Sequence, residues 1–308
     1  MVVYAVDAGG SRIKLAAVEG GRIVARSSLE ARAHEGLAAA LPRIAEALRR
    51  FKMPAQGISL AFPSLTEGNF VVGDVGKYRD AEALDLAEWA WTELRLRLVL
   101  ENDARAAAIG EWQHGAGQGT TDMVMVTLGT GIGTGVISEG RVLRGKHGAA
   151  GILGGHMTAR LRGRDCPCGN VGCWETEAST VALPAMVLDP LAPLGERGQG
   201  VRGVCHDYKS VFAAAENGDP TAIRLRDHSL DAWGSLAVSL IHAYDPEILV
   251  FGGGVMEAGE AILSPVREKV RRHAWTPWGK PKVVASILGY DAALLGGEWL
   301  FMNSIERK

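Results

Sequence analysis

No apolar run in this 308-residue chain approaches the roughly 20 residues that a membrane-spanning helix needs, so no membrane partner is expected. Met1-Val2-Val3-Tyr4 has the look of a strand, without a basic segment, apolar core or cleavage site, which predicts a cytoplasmic protein. Charge of one sign is missing too: 33 Lys and Arg against 35 Asp and Glu leave a net charge of −2, which gives no electrostatic reason to expect nucleic-acid binding. Cysteine is scarce, with 4 in all, and a reducing cytoplasm disfavours disulfides. Cys166 and Cys168 are in any case too close in sequence to bridge without strain. No glycine turn ends in Gly-Lys-Ser/Thr, which excludes a Walker loop.

What is present is an ordinary globular composition, 47% hydrophobic and 22% charged, in a chain long enough for two domains. The 40 glycines exceed the usual share of about 7% and cluster in turns, which suggests backbone approaching phosphate rather than a flexible linker. Three of the cysteines also cluster. His156 precedes Cys166-Pro167-Cys168-Gly169 and Gly172-Cys173-Trp174-Glu175. Three thiolates and an imidazole form a closed tetrahedral donor set for zinc, with no position left for a catalytic water. Gly169 and Gly172 would let the backbone turn sharply enough for the cysteines to face one point. The metal is then a clamp rather than a reagent, and unconnected free thiols are the competing reading. Cys205 lies outside the cluster and reads as an inert core or surface thiol.

Along the chain, strands are expected at 2–6, 13–18 and 23–27, with Gly20-Gly21 as a hairpin turn. The pattern returns after residue 120: a strand at 124–128, a glycine-rich turn over 129–135, a strand at 136–138, and a tight turn at Glu139-Gly140. Such a repeat implies two domains of one design, their glycine turns lining a shared cleft. Between the repeats come a strand at 58–62, an amphipathic helix at 84–97, a strand at 99–101 and an alanine-rich helix at 103–114. The polar, glycine-rich stretch 115–121 is the expected boundary. It separates an N-terminal domain, 1–116, from a C-terminal one, 117–291. The second half predicts a helix at 221–244, strands at 246–250 and 283–288, and helices at 257–272 and 292–303. The last helix, within 292–308, is a candidate to pack back on the first domain. Alternation of strands and helices gives the class α/β with mixed sheets.

Three glycine turns follow strands: Asp7-Ala8-Gly9-Gly10-Ser11, the turn carrying Gly129, Thr130, Gly131 and Gly133, and Gly252-Gly253-Gly254. The middle one leads into a strand, where a dinucleotide fingerprint needs a helix. Glycine-rich hairpins can nonetheless present several N–H groups to a polyphosphate, and Thr127, Thr130 and Thr134 add hydroxyls. Each turn alone is explained as well by tight-turn chemistry; three at strand ends favour a nucleotide. Asp7 is placed to meet phosphates with a magnesium ion through water, or is an Asx-turn residue. Lys14 could pair with phosphate or be a solvated strand lysine. At the strand–helix junction Glu101-Asn102-Asp103, Asp103 reads either as an N-cap or as a general base for a substrate hydroxyl. Asn102 offers a donor and an acceptor to a sugar hydroxyl.

These pieces together resemble the ROK family of sugar kinases and related repressors, within the actin-like ATPase and hexokinase fold. The matching segments are Asp7-Ala8-Gly9-Gly10 with Lys14, Glu101-Asn102-Asp103, Leu128-Gly129-Thr130-Gly131-Ile132-Gly133, Gly148–Gly151, Gly155-His156, the run from Cys166 to Glu175, Gly252–Gly254, and Leu294-Leu295-Gly296. The resemblance implies two actin-like (ribonuclease H-like) domains with mixed sheets around a central cleft, and ATP- and Mg²⁺-dependent phosphorylation of a hexose. It implies Asp103 as the base, Asn102, His156 and Glu175 near the sugar, and the glycine turns around ATP. It also implies a homodimer.

Three departures from the family pattern stand out, the first two of which bear on the acceptor. The family's usual Glu-x-Gly-His is here Leu153-Gly154-Gly155-His156, so an apolar residue stands where a glutamate touches the sugar. The usual Pro-Gly of the first-domain sugar loop is Pro63-Ser64, and in the stretch 74–80 Tyr78 stands where tryptophan is frequent. The expected function is that of a glucokinase-like enzyme. The alternatives are a kinase for another hexose or an N-acylhexosamine (the allose, fructose or N-acetylmannosamine class), or a catalytically weak sugar-sensing regulator. A regulator of this family carries an N-terminal helix-turn-helix, for which strand residues from Val2 leave no room.

Overall fold

The computed structural model describes residues 1–73, 77–188 and 206–305. Cys205 and part of the 74–80 stretch lie outside the described residues. The elements are β1 (Val2–Ala8), β2 (Arg12–Glu19), β3 (Arg22–Glu30), α1 (Leu37–Arg49), β4 (Ala55–Phe62), β5 (Leu65–Glu67), β6 (Phe70–Val72), α2 (Leu86–Leu94), β7 (Arg97–Asn102), α3 (Asp103–His114), β8 (Met123–Leu128), β9 (Ile132–Ser138) and β10 (Arg141–Val142). They continue with α4 (Trp174–Ala178), α5 (Leu183–Leu188), α6 (Tyr208–Glu216), α7 (Pro220–Tyr244), β11 (Ile248–Gly252), α8 (Glu260–His273), β12 (Lys282–Ala285) and α9 (Ala292–Ile305).

The two main sheets share one plan. The first has strand order β3-β2-β1-β4-β7, the second β10-β9-β8-β11-β12. Each is an antiparallel meander of three strands followed by two parallel ones. In the first, β1 pairs antiparallel with β2 and parallel with β4, and β4 pairs parallel with β7. Central β1 is buried almost throughout, as a strand covered on both faces must be, while edge strand β3 alternates between exposed and half-buried residues. α1 and α2 pack with one face of this sheet around Tyr4, Val6, Ile44 and Leu60. The other face carries α9, whose Leu294 and Leu295 meet Ala5, Ala16 and Val18.

α9 lies close against α3 because glycines remove the side chains that would separate them. A Cβ on Gly110 would sit 1.9 Å from the Ala292 carbonyl oxygen, and one on Gly296 would sit 2.1 Å from that of Ala106. No helix among the described residues is long and apolar enough to cross a membrane.

By contacts the chain divides into two units, Met1–Thr121 with Gly135–Ile152 and Ile287–Lys308, and Asp122–Thr134 with Leu153–Ser286. A single crossing near residue 116 is therefore too simple. The stretch after β10 joins the first unit because Arg105 donates to the carbonyls of Gly148 and Ala150, and Arg144 pairs with Glu101. The expected turn over 129–135 is also shorter in the structure: β9 begins at Ile132, so Gly133 and Gly135 are strand residues.

Candidate active site and metal centre

In the first unit, parallel pairing aligns Asp7 with Ala61 and Ala61 with Glu101, so β1, β4 and β7 all end at one sheet edge. That edge brings together Asp7, the Pro63-Ser64 loop and Asn102-Asp103. Carboxyl ends of parallel strands are where α/β folds gather ligand-binding residues. Lys14, opposite Asp7 on β2, donates to Asp7 Oδ2 at 2.8 Å and lies 5.1 Å from the centre of the Tyr290 ring. Gly9 and Gly10 follow, with the Lys77 side chain so near Gly10 that a Cβ there would be 3.3 Å from its Cδ. Ser11 is exposed at the end of the turn.

The cap of α3 is Asn102 rather than Asp103. Asn102 Oδ1 accepts from the Arg105 N–H at 3.0 Å, and its amide donates to the Ser64 carbonyl at 3.2 Å and to Asp103 Oδ1 at 3.3 Å. Asn102 is buried and its hydrogen-bonding capacity is largely committed inside the protein. Asp103 is thereby left as the first helical residue, with Oδ1 accepting from the Ala104 N–H at 2.8 Å. Burial first, then the negative charge of Asp7, pushes its carboxyl up to about 6, against the opposing pull of Lys77. Such a carboxylate is still ionised at neutral pH yet basic enough to share a hydroxyl proton. The Ser64 side chain is also committed: its hydroxyl donates to the Gly73 carbonyl at 2.7 Å and is buried.

Behind Asp103 lies an ion network that the residue reading did not single out. Glu101 and Arg105 are each 1% exposed and paired at 2.8 Å, and Arg144 pairs with the other Glu101 oxygen. Glu101 Oε1 also accepts from the Asn102 N–H at 2.9 Å. The only sequence signal was a pair of opposite charges four residues apart, which on an exposed helix would be ordinary. Lys77 was missed as well, because only the chain's return over the first strand end puts it beside Gly10 and Asp103.

In the second unit, β8 and β11 run parallel with Thr127 opposite Gly252, so the turns at Gly129 and at Gly253-Gly254 share a sheet edge. Gly253 has φ +89°, and a Cβ would clash with the Leu128 carbonyl oxygen at 2.2 Å. Gly129 is different: nothing lies within 4 Å of where its Cβ would be. Glu175, on α4, accepts from the Ile132 N–H at 2.9 Å and crowds Gly131, whose Cβ would be 2.2 Å from its Oε2. Thr130 is exposed. Thr134 is buried and its hydroxyl accepts from the Gly154 N–H at 2.9 Å, a structural use rather than a free donor. Leu153 is 39% exposed, followed by buried Gly154 and Gly155. A Cβ on Gly155 would lie 2.0 Å from the Ile132 carbonyl oxygen, so these glycines are required by close packing on β9.

His156, Cys166, Cys168 and Cys173 converge, their donor atoms all within 4.8 Å of one another. Zn–S bonds of about 2.3 Å and Zn–N bonds of about 2.0–2.1 Å set tetrahedral edges of about 3.5–3.8 Å. The structure has 3.5 Å from Cys166 Sγ to His156 Nδ1 and 3.7 Å from Cys168 Sγ to Cys173 Sγ. Gly169 and Gly172 both hold positive φ, as the turn requires, and Cys173 caps α4 two residues before Glu175. The donor set fits a closed metal site.

Residues 3–304 match the ROK family. The chain is 32% identical to a glucokinase of Halalkalibacterium halodurans, over 98% of this chain and 96% of the relative. It is 33% identical to a glucokinase of Thermotoga maritima, over 97% of each. Among solved structures it resembles a ROK family glucokinase from Streptomyces griseus in complex with glucose and AMPPNP, with a TM-score of 0.80 and 30% identity, over 97% of this chain and 99% of that one. A match that spans nearly the whole sequence, on the two-sheet plan and the strand-end carboxylates described above, places the chain in the ROK family.

Proposed function

We infer that this chain is an ATP-dependent sugar kinase that phosphorylates a hexose hydroxyl, with Asp103 as its general base. The observation that carries the base assignment is the division of labour at the β7–α3 junction. Asn102 caps the helix, which frees Asp103, and burial beside Asp7 raises its carboxyl to about 6. The acceptor hydroxyl gives its proton to Asp103 while its oxygen bonds to the γ-phosphorus and the bond to the β-phosphate oxygen breaks, leaving ADP. Lys14, held by Asp7, supplies positive charge for phosphate oxygens, and Gly9, Gly10 and Ser11 leave room for them. Magnesium, when bound, neutralises phosphate charge; a single Asp7 carboxylate fits a cation held chiefly by phosphates and water. In the second unit, Gly129, Thr130, Gly131, Gly253 and Gly254 contribute backbone to the nucleotide, with Gly133 behind the turn.

For the sugar, the residues proposed in the first unit are Asn102, Asp103, Pro63 and Ser64, and in the second unit His156, Glu175 and Leu153. Asn102 and Ser64 act through loop geometry, given how their side chains are committed. Zinc on His156, Cys166, Cys168 and Cys173 fixes the segment that carries His156 and Glu175. Glucose is the first acceptor to test, and the protein works in the cytoplasm as a homodimer. A coupled ADP-release assay with ATP, Mg²⁺ and a hexose panel tests the activity; hexose-independent ADP formation, or none, would overturn it. Light scattering giving twice the 32.7 kDa chain mass would support the dimer, and the chain mass alone would refute it.

A further inference from the structure

The first unit contains a cavity of about 670 Å³ that includes none of the strand-end residues Asp7, Ser64, Asn102 or Asp103. It runs along β7, an edge strand among the described residues, between α2 and the end of α9. Its volume is that of a small-molecule site. Three features describe what would fit it.

Charge is the first. Arg97, Arg144, Lys146 and His147 line the cavity against the carboxylates of Glu67 and Glu101. Glu101 is already neutralised by buried Arg105, which is not part of the lining. The cavity therefore holds an excess of positive charge on a chain whose net charge is −2. Apolar surface is the second: Trp91, 54% exposed and with Arg95 over its ring, and Trp299, packed on Trp112, line the cavity. The third is a connection. Arg144 reaches from the cavity to Glu101, and Glu101 accepts from the N–H of Asn102, the residue that caps α3 and precedes Asp103.

We propose that this cavity is a second binding site, for a phosphomonoester carried on a ring, and that its occupant lowers turnover by drawing Arg144 away from Glu101. A doubly charged phosphate matches the cationic lining, and a sugar or base ring matches the tryptophans. With Arg144 withdrawn, Glu101 loses one of its two cationic partners and the β7–α3 junction is held less firmly. Binding itself does not depend on the kinase reading, and the coupling rests on Asp103 as base.

The test uses the full chain saturated with hexose and a non-hydrolysable ATP analogue, so that the reaction site is filled. Calorimetric titration with hexose 6-phosphate, AMP and inorganic phosphate then distinguishes the sources of the phosphate group. At least one ring-bearing phosphomonoester should bind at least about tenfold more tightly than inorganic phosphate. Arg97→Ala/Lys146→Ala should weaken that binding by about tenfold or more while basal turnover stays unchanged. The bound phosphomonoester should lower kcat severalfold at saturating substrates, and the double variant should escape this. No binding with the reaction site filled, equal binding by inorganic phosphate, or undiminished binding by the double variant would refute the site. Binding that leaves kcat unaltered would refute the route through Arg144. Calorimetry needs no turnover, so an inactive enzyme would be told apart from an absent site.

Discussion

Asp103 shows how much one position depends on its neighbour. From its position alone Asp103 read first as a helix cap, a role in which Asp103→Asn would have been nearly silent, and the family resemblance implied the base. In the structure Asn102 is the cap, so that exchange leaves the cap intact and tests the carboxylate alone. The pH dependence follows from the direction of the shift. Asp103 is raised from 3.8 to about 6, so the folded protein keeps a proton that the unfolded chain has already released. Stability from this group is full below about 3.8 and is lost as pH rises through about 6. At neutral pH the ionised group costs at most about 3 kcal/mol, so Asp103→Asn should melt no lower than the parent, and even higher. In the parent, kcat should fall as pH drops through about 6, where the base becomes protonated. A kcat that stays constant from about one unit below the raised value to about two units above it would speak against the base.

Leu153 bears on the acceptor. At 39% exposed it is not a core residue, and packing fixes Gly154 and Gly155 behind it. An apolar residue discriminates weakly where a hydrogen-bonding one would reject a missing hydroxyl strongly. Leu153→Glu should raise kcat/KM for glucose relative to the best other hexose. A parent that already prefers glucose strongly, with no gain from the carboxylate, would show that Leu153 does not set specificity.

Elements differ in what the sequence disclosed. The convergence of His156 with the three cysteines was legible because ligand chemistry writes itself as spacing, with glycines between the donors. Cys168→Ser should lose about one zinc per chain by metal analysis, disorder the segment 156–175 and raise KM for sugar. Active protein with no zinc would contradict the clamp. Glycine turns were less legible, because the same residue serves strain, close packing and ligand approach. Gly253 and Gly155 are needed by the fold, whereas Gly129 has open space over its Cα. Gly129→Ala should therefore keep the melting temperature within a degree or two while raising KM for ATP roughly tenfold. A large drop in stability with unchanged KM would reassign Gly129 to the scaffold. Thr134, counted from sequence as a hydroxyl donor, is an internal tie to Gly154, which composition could not reveal. α1 was not foreseen: Gly36 precedes it and Pro42 lies inside it.

At the scale of the whole chain, the repeat of strand, glycine turn and hairpin was visible, and the two sheets share the order of meander plus two parallel strands. What local pattern could not give was the chain's return. The stretch 135–152 makes that return, joining the first unit through charges between residues far apart in sequence; α9, already a candidate for the first domain, meets α3 at glycine contacts. The Glu101–Arg105–Arg144 network is the clearest case, since Arg144 is 43 residues from its partner. At this scale the chain is proposed to be an ATP-dependent hexose kinase whose base is Asp103. The most direct test is hexose-dependent ADP release at saturating ATP and Mg²⁺, measured for the parent and for Asp103→Asn at pH well above the raised carboxyl value. The account expects turnover by the parent and a loss of roughly a hundred- to ten-thousand-fold in the variant, with fold and ATP binding retained. Equal turnover by both proteins would contradict it.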